Sequence, residues 1–172
     1  MGISASRQFG ANLVVTIMIT TLVAVFILAL ALVSSLIYGF NRPNNITIIS
    51  LSALLALVGD AIAVSAIHTW AATQFSQQGV TLGMAVVAAI GTSALPFAGL
   101  NYLSWILPWG IVSAANPVLG STGGVVTISS EALLFGVVAV IVGIFWSSVC
   151  MFLIKIRKVE HCLLYTSDAA DE

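Results

Sequence analysis

The chain has 172 residues, 60% of them apolar and only 6% charged, with a formal net charge of −1 and a mean hydropathy of +1.14. A soluble domain carries about a quarter charged residues, and surface-to-volume scaling leaves no room to hide this much apolar side chain inside a fold of this length, so lipid rather than water must be the main solvent. The small net charge also argues against a nucleic-acid partner, which would require clustered Lys and Arg facing phosphates.

A spanning helix needs about 20 mostly apolar residues, since the hydrocarbon layer is roughly 30 Å thick and each residue adds about 1.5 Å. Four stretches come close. The first, residues 11–38, is uncharged and long enough to span with tilt. It is too long for the core of a signal peptide and has no small-residue cleavage site. A polar turn, residues 39–45, ends it, because its Asn and Pro residues have no place in lipid. The second stretch covers residues 46–67 and carries Asp60, and His68 to Gly79 connects it to the third, residues 80–100. Pro108, Pro117 and the Gly120 to Gly124 cluster break every apolar run in residues 101–130. That segment is expected to form short helices that lie in the outer interface or dip back, with Tyr102, Trp105 and Trp109 at headgroup level. The fourth stretch covers residues 131–154, with Ser129 or Ser130 as its cap and Glu131 in its first turn.

Beyond the basic stretch Lys155 to Lys158, residues 162–172 turn polar and acidic and resemble an in-frame translation of a sequencing-library adapter. They are set apart from the fold as a scar. Residues 1–161 then form a single transmembrane domain in which five basic residues, Arg7, Arg42, Lys155, Arg157 and Lys158, stand against Asp60, Glu131 and Glu160, a net of +2. Cys150 is then the sole cysteine, so no disulfide framework is expected. The expected fold is an all-α integral membrane protein with about four transmembrane helices and a broken outer segment of short interfacial helices. Arg7 before the first span and Lys155, Arg157 and Lys158 after the last place both termini on the cytoplasmic side of an inner membrane.

Small residues at every fourth position mark helix contact faces in lipid. They recur as Ser52, Ala56 and Asp60, as Ala85, Ala89 and Ser93, and as Ala139, Gly143 and Ser147. Asp60 is the one ionisable side chain well inside a span, where a charge costs at least about 2.5–3.5 kcal/mol. It is a candidate for a transport path or, alternatively, for a structural hydrogen bond. His68 has no Cys, Asp or second His at ligand spacing, so no metal site is expected. The absence of a nucleophile elbow argues against an enzyme, and the absence of a phosphate-binding GxxxxGK[ST] loop means that any ATP would be bound by a partner chain.

Three passages carry a family resemblance: Ser4 to Gly10 (SASRQFG), His68 to Ser76 (HTWAATQFS) with Gly83, and Trp105 to Gly110 (WILPWG) with Asn116 and Pro117. Together they resemble the membrane subunits of ABC exporters of the lantibiotic-immunity and bacitracin-resistance kind. A Lys that this family carries after the Ser-Arg stretch is replaced here by Asn12. The resemblance implies a six-helix permease whose last four helices this chain contains, the first two lying upstream of an N-terminal truncation. It implies a homo- or heterodimer of permeases and a separate ABC ATPase subunit that supplies ATP hydrolysis for the export of peptide antibiotics or lipid-linked compounds. By the same analogy Ser6, Arg7, His68, Trp70 and Phe75 touch the ATPase, and Tyr102, Trp105, Pro108, Trp109 and Asn116 form an outer gate or interface. Two other functions remain open: a secondary carrier or channel fragment with Asp60 as its ion site, and a structural subunit of a larger membrane complex.

Overall fold

A computed structural model describes residues 5–38, 45–75, 77–122 and 125–168. In chain order it contains α1 (Ala5–Ile37), α2 (Ile46–Gln74), α3 (Gln78–Ala94), α4 (Asn101–Ile106), a 3-10 turn (Pro108–Gly110), α5 (Ile111–Ala114), strands β1 (Val118–Thr122) and β2 (Val125–Ile128), and α6 (Ala132–Asp168). The protein is predominantly helical. Three of the helices, α1, α2 and α6, are long and apolar enough to cross a bilayer, which fits a multi-pass protein embedded in a membrane.

Three spans rather than four meet the length requirement. The third expected span, residues 80–100, stops at Ala94, and a helix of 17 residues is roughly 25 Å long, short of the hydrocarbon thickness. The cause is local. Pro96 has no N–H to continue the ladder, and the turn that follows closes with Gly99 at φ +73°, a conformation that glycine adopts without steric cost, and with Leu100 N–H donating to Leu95 O at 3.0 Å.

The other helices are longer than expected. α1 begins at Ala5 instead of residue 11, and α2 runs past residue 67 to Gln74, so most of the expected His68 to Gly79 connection is helix. Neither extension contains a proline, and polar side chains such as His68 can leave the lipid without ending the helix. Within the helices, hydroxyls that would otherwise face lipid donate back to carbonyls one turn earlier, as Thr16 does to Asn12, Thr69 to Ser65 and Thr92 to Ala88, each at 2.7–2.8 Å.

α2 and α6 form the centre of the fold and run parallel. Ser52 Oγ donates to Ala132 O, the main chain of Gly59 lies against Ala139 and Gly143, and Gly136 sits on Ser52. Farther along, Ala66 and Ile67 share a buried cluster with Cys150 and Ile154. The buried seam on α2 is Ser52, Ala56, Gly59, Ala63 and Ala66, and on α6 it includes Ala132, Gly136, Ala139, Gly143 and Cys150. Steps of four and three alternate, the 3.5-residue period of helices that supercoil left-handedly. The expected rows of strict fourth positions are therefore half right: Ser52, Ala56, Ala139 and Gly143 lie in the seam, whereas Gly59 takes the place assigned to Asp60. The row Ala85, Ala89 and Ser93 on α3 has no buried member.

α1 packs antiparallel to α2. Phe9, 2% exposed, and Leu13 are held near the Gln74 end of α2, and Leu32 and Leu36 face Ile46 and Ser50 at the other end. Most of its remaining surface is exposed, including Leu22 at 66%. This arrangement brings Arg7 and Lys155, both exposed, to the same end of the molecule. Because α2 and α6 are parallel, the chain between them has to come back from the Gln74 end to the Ala132 end, and α3 begins that return.

Strands β1 and β2 pair as an antiparallel ribbon, with a bulge between Val118 and Gly120, in a segment where only short helices were expected. The seam generates a direct test. A Cβ at Gly59 would enter the main chain of Ala139, whereas one at Gly83 meets nothing within 4 Å. Gly59→Ala is expected to lower stability by about 1–3 kcal/mol, the usual cost of overpacking, and Gly83→Ala to leave it unchanged or slightly raised. Denaturant unfolding in detergent micelles, followed by circular dichroism, measures both.

Candidate functional site

The seam decides where the polar residues of α2 go. With Gly59 turned toward α6, Asp60 is rotated to one side, and His68, eight residues on, lies about 80° farther round the helix. The segment that fills this side is α4, the 3-10 turn and α5, folded as a re-entrant hairpin. Its descending arm places Trp105 against Phe135, with ring centroids 5.7 Å apart. At its tip Trp109 meets His68 edge-on at 5.8 Å and packs in a cluster that includes Met84 and Trp146. Its rising arm buries Ile111 and Ala115 among Ala56, Ala63 and Ala139. At about 1.5 Å per residue, Asp60 lies roughly 21 Å and His68 roughly 33 Å along α2 from Ile46, so the hairpin reaches well into the helix pair.

Irregular backbone is tolerated at membrane depth only where protein covers it or water reaches it, and here several of its backbone groups have partners. The Asp60 side chain lies beside the backbone N–H of Val112. Trp146 Nε1 donates to Ile106 O at 2.9 Å. Leu107 N–H donates to Leu103 O and Gly110 N–H to Leu107 O, at 3.0 and 2.9 Å. The sharp reversal requires glycine at 110, because a Cβ there would lie 2.6 Å from the Ser104 carbonyl oxygen. Pro108 opens the 3-10 turn, where its missing N–H costs nothing.

The residues expected to form two separate sites are thus partly joined. His68 and Trp109, placed on opposite faces of the membrane by the sequence, are in contact. Pro108 is buried, Trp105 and Trp109 are half-buried in protein rather than set at headgroup level, and Tyr102 is exposed. Asn116 is exposed, and its Oδ1 accepts a hydrogen bond from Val118 N–H at 3.0 Å. Of the expected ATPase contacts, Ser6 and Arg7 fall in the first turn of α1, Trp70 packs on the cluster around Phe9, and Phe75 caps α2 through a 3.0 Å bond from its N–H to Ala71 O. Trp70 thus shares a cluster with Trp109 at the tip of the hairpin, whereas Phe75 is not among its members. At the start of α6, the Ser129 hydroxyl accepts from Glu131 N–H at 3.1 Å, so Ser129 rather than Ser130 makes the turn into that helix.

Sequence reasoning passed over Trp146, Val112 and the ribbon. A lone Trp in an apolar helix and a main-chain amide carry no motif. The ribbon did leave a signal, Val and Thr on both sides of the pair Gly123-Gly124, which is a hairpin pattern.

Among the described residues no group of three or more His, Cys, Asp or Glu could hold a metal. The chemistry the site offers is positional: a carboxylate and an indole tie a broken segment to two packed helices. With Cys150 and Cys162 replaced by serine, Ala115→Cys is expected to be nearly inert to maleimide and to react at least about tenfold faster once Asp60→Leu is added, which corresponds to about 1.4 kcal/mol. Asp60→Asn keeps an acceptor for Val112 and should change the rate much less.

No family model matches the chain, and neither the curated proteins nor the solved structures contain a match to it.

Proposed function

We propose that this chain is a membrane-spanning subunit of an ATP-driven exporter of the ABC kind, acting on peptide antibiotics or lipid-linked compounds, with the re-entrant hairpin as part of its gate. One observation carries the reading: a broken segment with polar backbone is held between packed helices at membrane depth, where it must be covered by protein or line a water-filled cavity, and a polar cavity opens beside it. The shared end of Arg7 and Lys155 supports placing both on the cytoplasmic side. The reading then sets α1 outward, α2 and α6 inward, and lets α3 with the turn at Pro96 provide the return.

His68 in contact with Trp109 supports a short mechanical route. A movement of the cytoplasmic end of α2 would press directly on the tip of the hairpin, with no need for a long chain of intermediates. The chain carries no phosphate-binding loop, so the energy would come from a separate ATPase that docks at the cytoplasmic end, beside Arg7 and Phe75, and the permease would work as a homo- or heterodimer. The Val112 amide on Asp60 favours a positioning role for that carboxylate over an ion site, which sets the carrier alternative behind.

Affinity purification of the tagged full chain from native membranes tests the proposal. It is expected to bring down an ATP-hydrolysing chain in roughly equal amount, and His68→Ala should weaken stimulation of that hydrolysis without releasing the partner. A partner-free, monodisperse chain with no associated hydrolysis would overturn it.

A further inference from the structure

A cavity of about 360 Å³ lies at the open end of the hairpin, lined by Asn101, Ser104, Trp105, Ser113, Asn116 and Pro96 among others. That volume suffices for a small headgroup. Ser113 and Asn116 also face Ala53 and Leu57 of α2, which sets the cavity roughly 10–17 Å along α2 from Ile46. Since α2 is roughly 43 Å long and the hydrocarbon about 30 Å thick, a centred α2 puts this level just inside the apolar layer.

Polar groups at that depth need partners, and several here have none from the protein. The Ser104 hydroxyl, in a residue 1% exposed, is unpartnered, and the side chains of Asn101 and Ser113 make no hydrogen bond with other described residues. Asn116 uses Oδ1 on Val118 and keeps its amide protons. None of the lining side chains is charged, so a charged ligand would find no counter-ion, whereas hydroxyls, which both donate and accept, suit amides and serines. Trp105 adds a flat apolar wall. Beside the lining, Phe97 is 94% exposed and Tyr102 63%, an apolar rim toward lipid.

We propose that this cavity binds the uncharged, hydroxyl-rich headgroup of a membrane amphiphile whose tail lies along Phe97 and Tyr102 in the bilayer. This rests on the transport reading and gives it a substrate class. The test uses the full chain in phosphatidylcholine nanodiscs, with native mass spectrometry reading the retention of monoglucosyl diacylglycerol, phosphatidylglycerol and diacylglycerol. The glucosyl lipid is expected to be retained at least about tenfold over the other two, which lack either the neutral charge or the set of hydroxyls. Asn101→Leu combined with Ser113→Ala, both at exposed positions, should remove that preference with the unfolding temperature unchanged. Equal retention of the three lipids, or an undiminished preference in the double variant, would overturn the proposal and leave a cavity that holds water or bulk lipid only. Binding is read without ATP or a partner, so its failure and the failure of ATPase co-purification are separate results.

Discussion

The main chains of α2 and α6 come close together at Gly59 and Gly143, flanked by Ala56, Ala63 and Ala139. In lipid there is no hydrophobic gain from bringing two helices together, so contact depends on fit, and side chains of one carbon or none let α2 and α6 touch along several turns. The parallel sense of that contact then governs the topology. A parallel pair cannot be joined by a tight turn, and the chain between Gln74 and Ala132 has to travel back along the pair before α6 can begin. The hairpin and the ribbon occupy the length which that requirement leaves over.

Hydrogen-bond accounting explains why the hairpin lies against α2 and α6 rather than out in lipid. Short helical pieces leave most of their terminal N–H and C=O groups without intrahelical partners, and α4, the 3-10 turn and α5 are nearly all terminus. The Asp60 side chain lies beside the Val112 N–H, and Trp146 serves one C=O. A carboxylate inside a span, costly by itself, becomes reasonable once it is seen as the acceptor that a broken backbone needs. At the start of α6 it is the side chain that gains a partner, the buried Ser52 hydroxyl donating to Ala132 O.

Composition and the length of apolar runs made the membrane setting legible, along with three of the long helices and the break in residues 101–130. Helix ends were less legible, because a drop in hydropathy marks the edge of the lipid and not the end of the helix: α2 passes through His68 and Thr69 without interruption. Conversely, residues 80–100 read as one apolar run, yet Pro96 and Gly99 stop the helix early. The hairpin's depth was hidden for another reason. Trp105 and Trp109, four residues apart with Tyr102 close by, carry the pattern of an interfacial belt, and nothing local distinguishes an indole in the headgroup layer from one packed on His68. The 3.5-residue seam was in view in the small residues, but a search for every fourth position took Asp60 and skipped Gly59.

The shortness of α3 has a consequence for the bilayer itself. An apolar rod roughly 25 Å long beside neighbours of full span creates a hydrophobic mismatch, which membranes relieve by thinning locally. The dimple would form over the turn at Pro96 to Leu100, drawing lipid headgroups down on that flank and shortening the distance a polar group must travel through hydrocarbon to reach the interior of the protein.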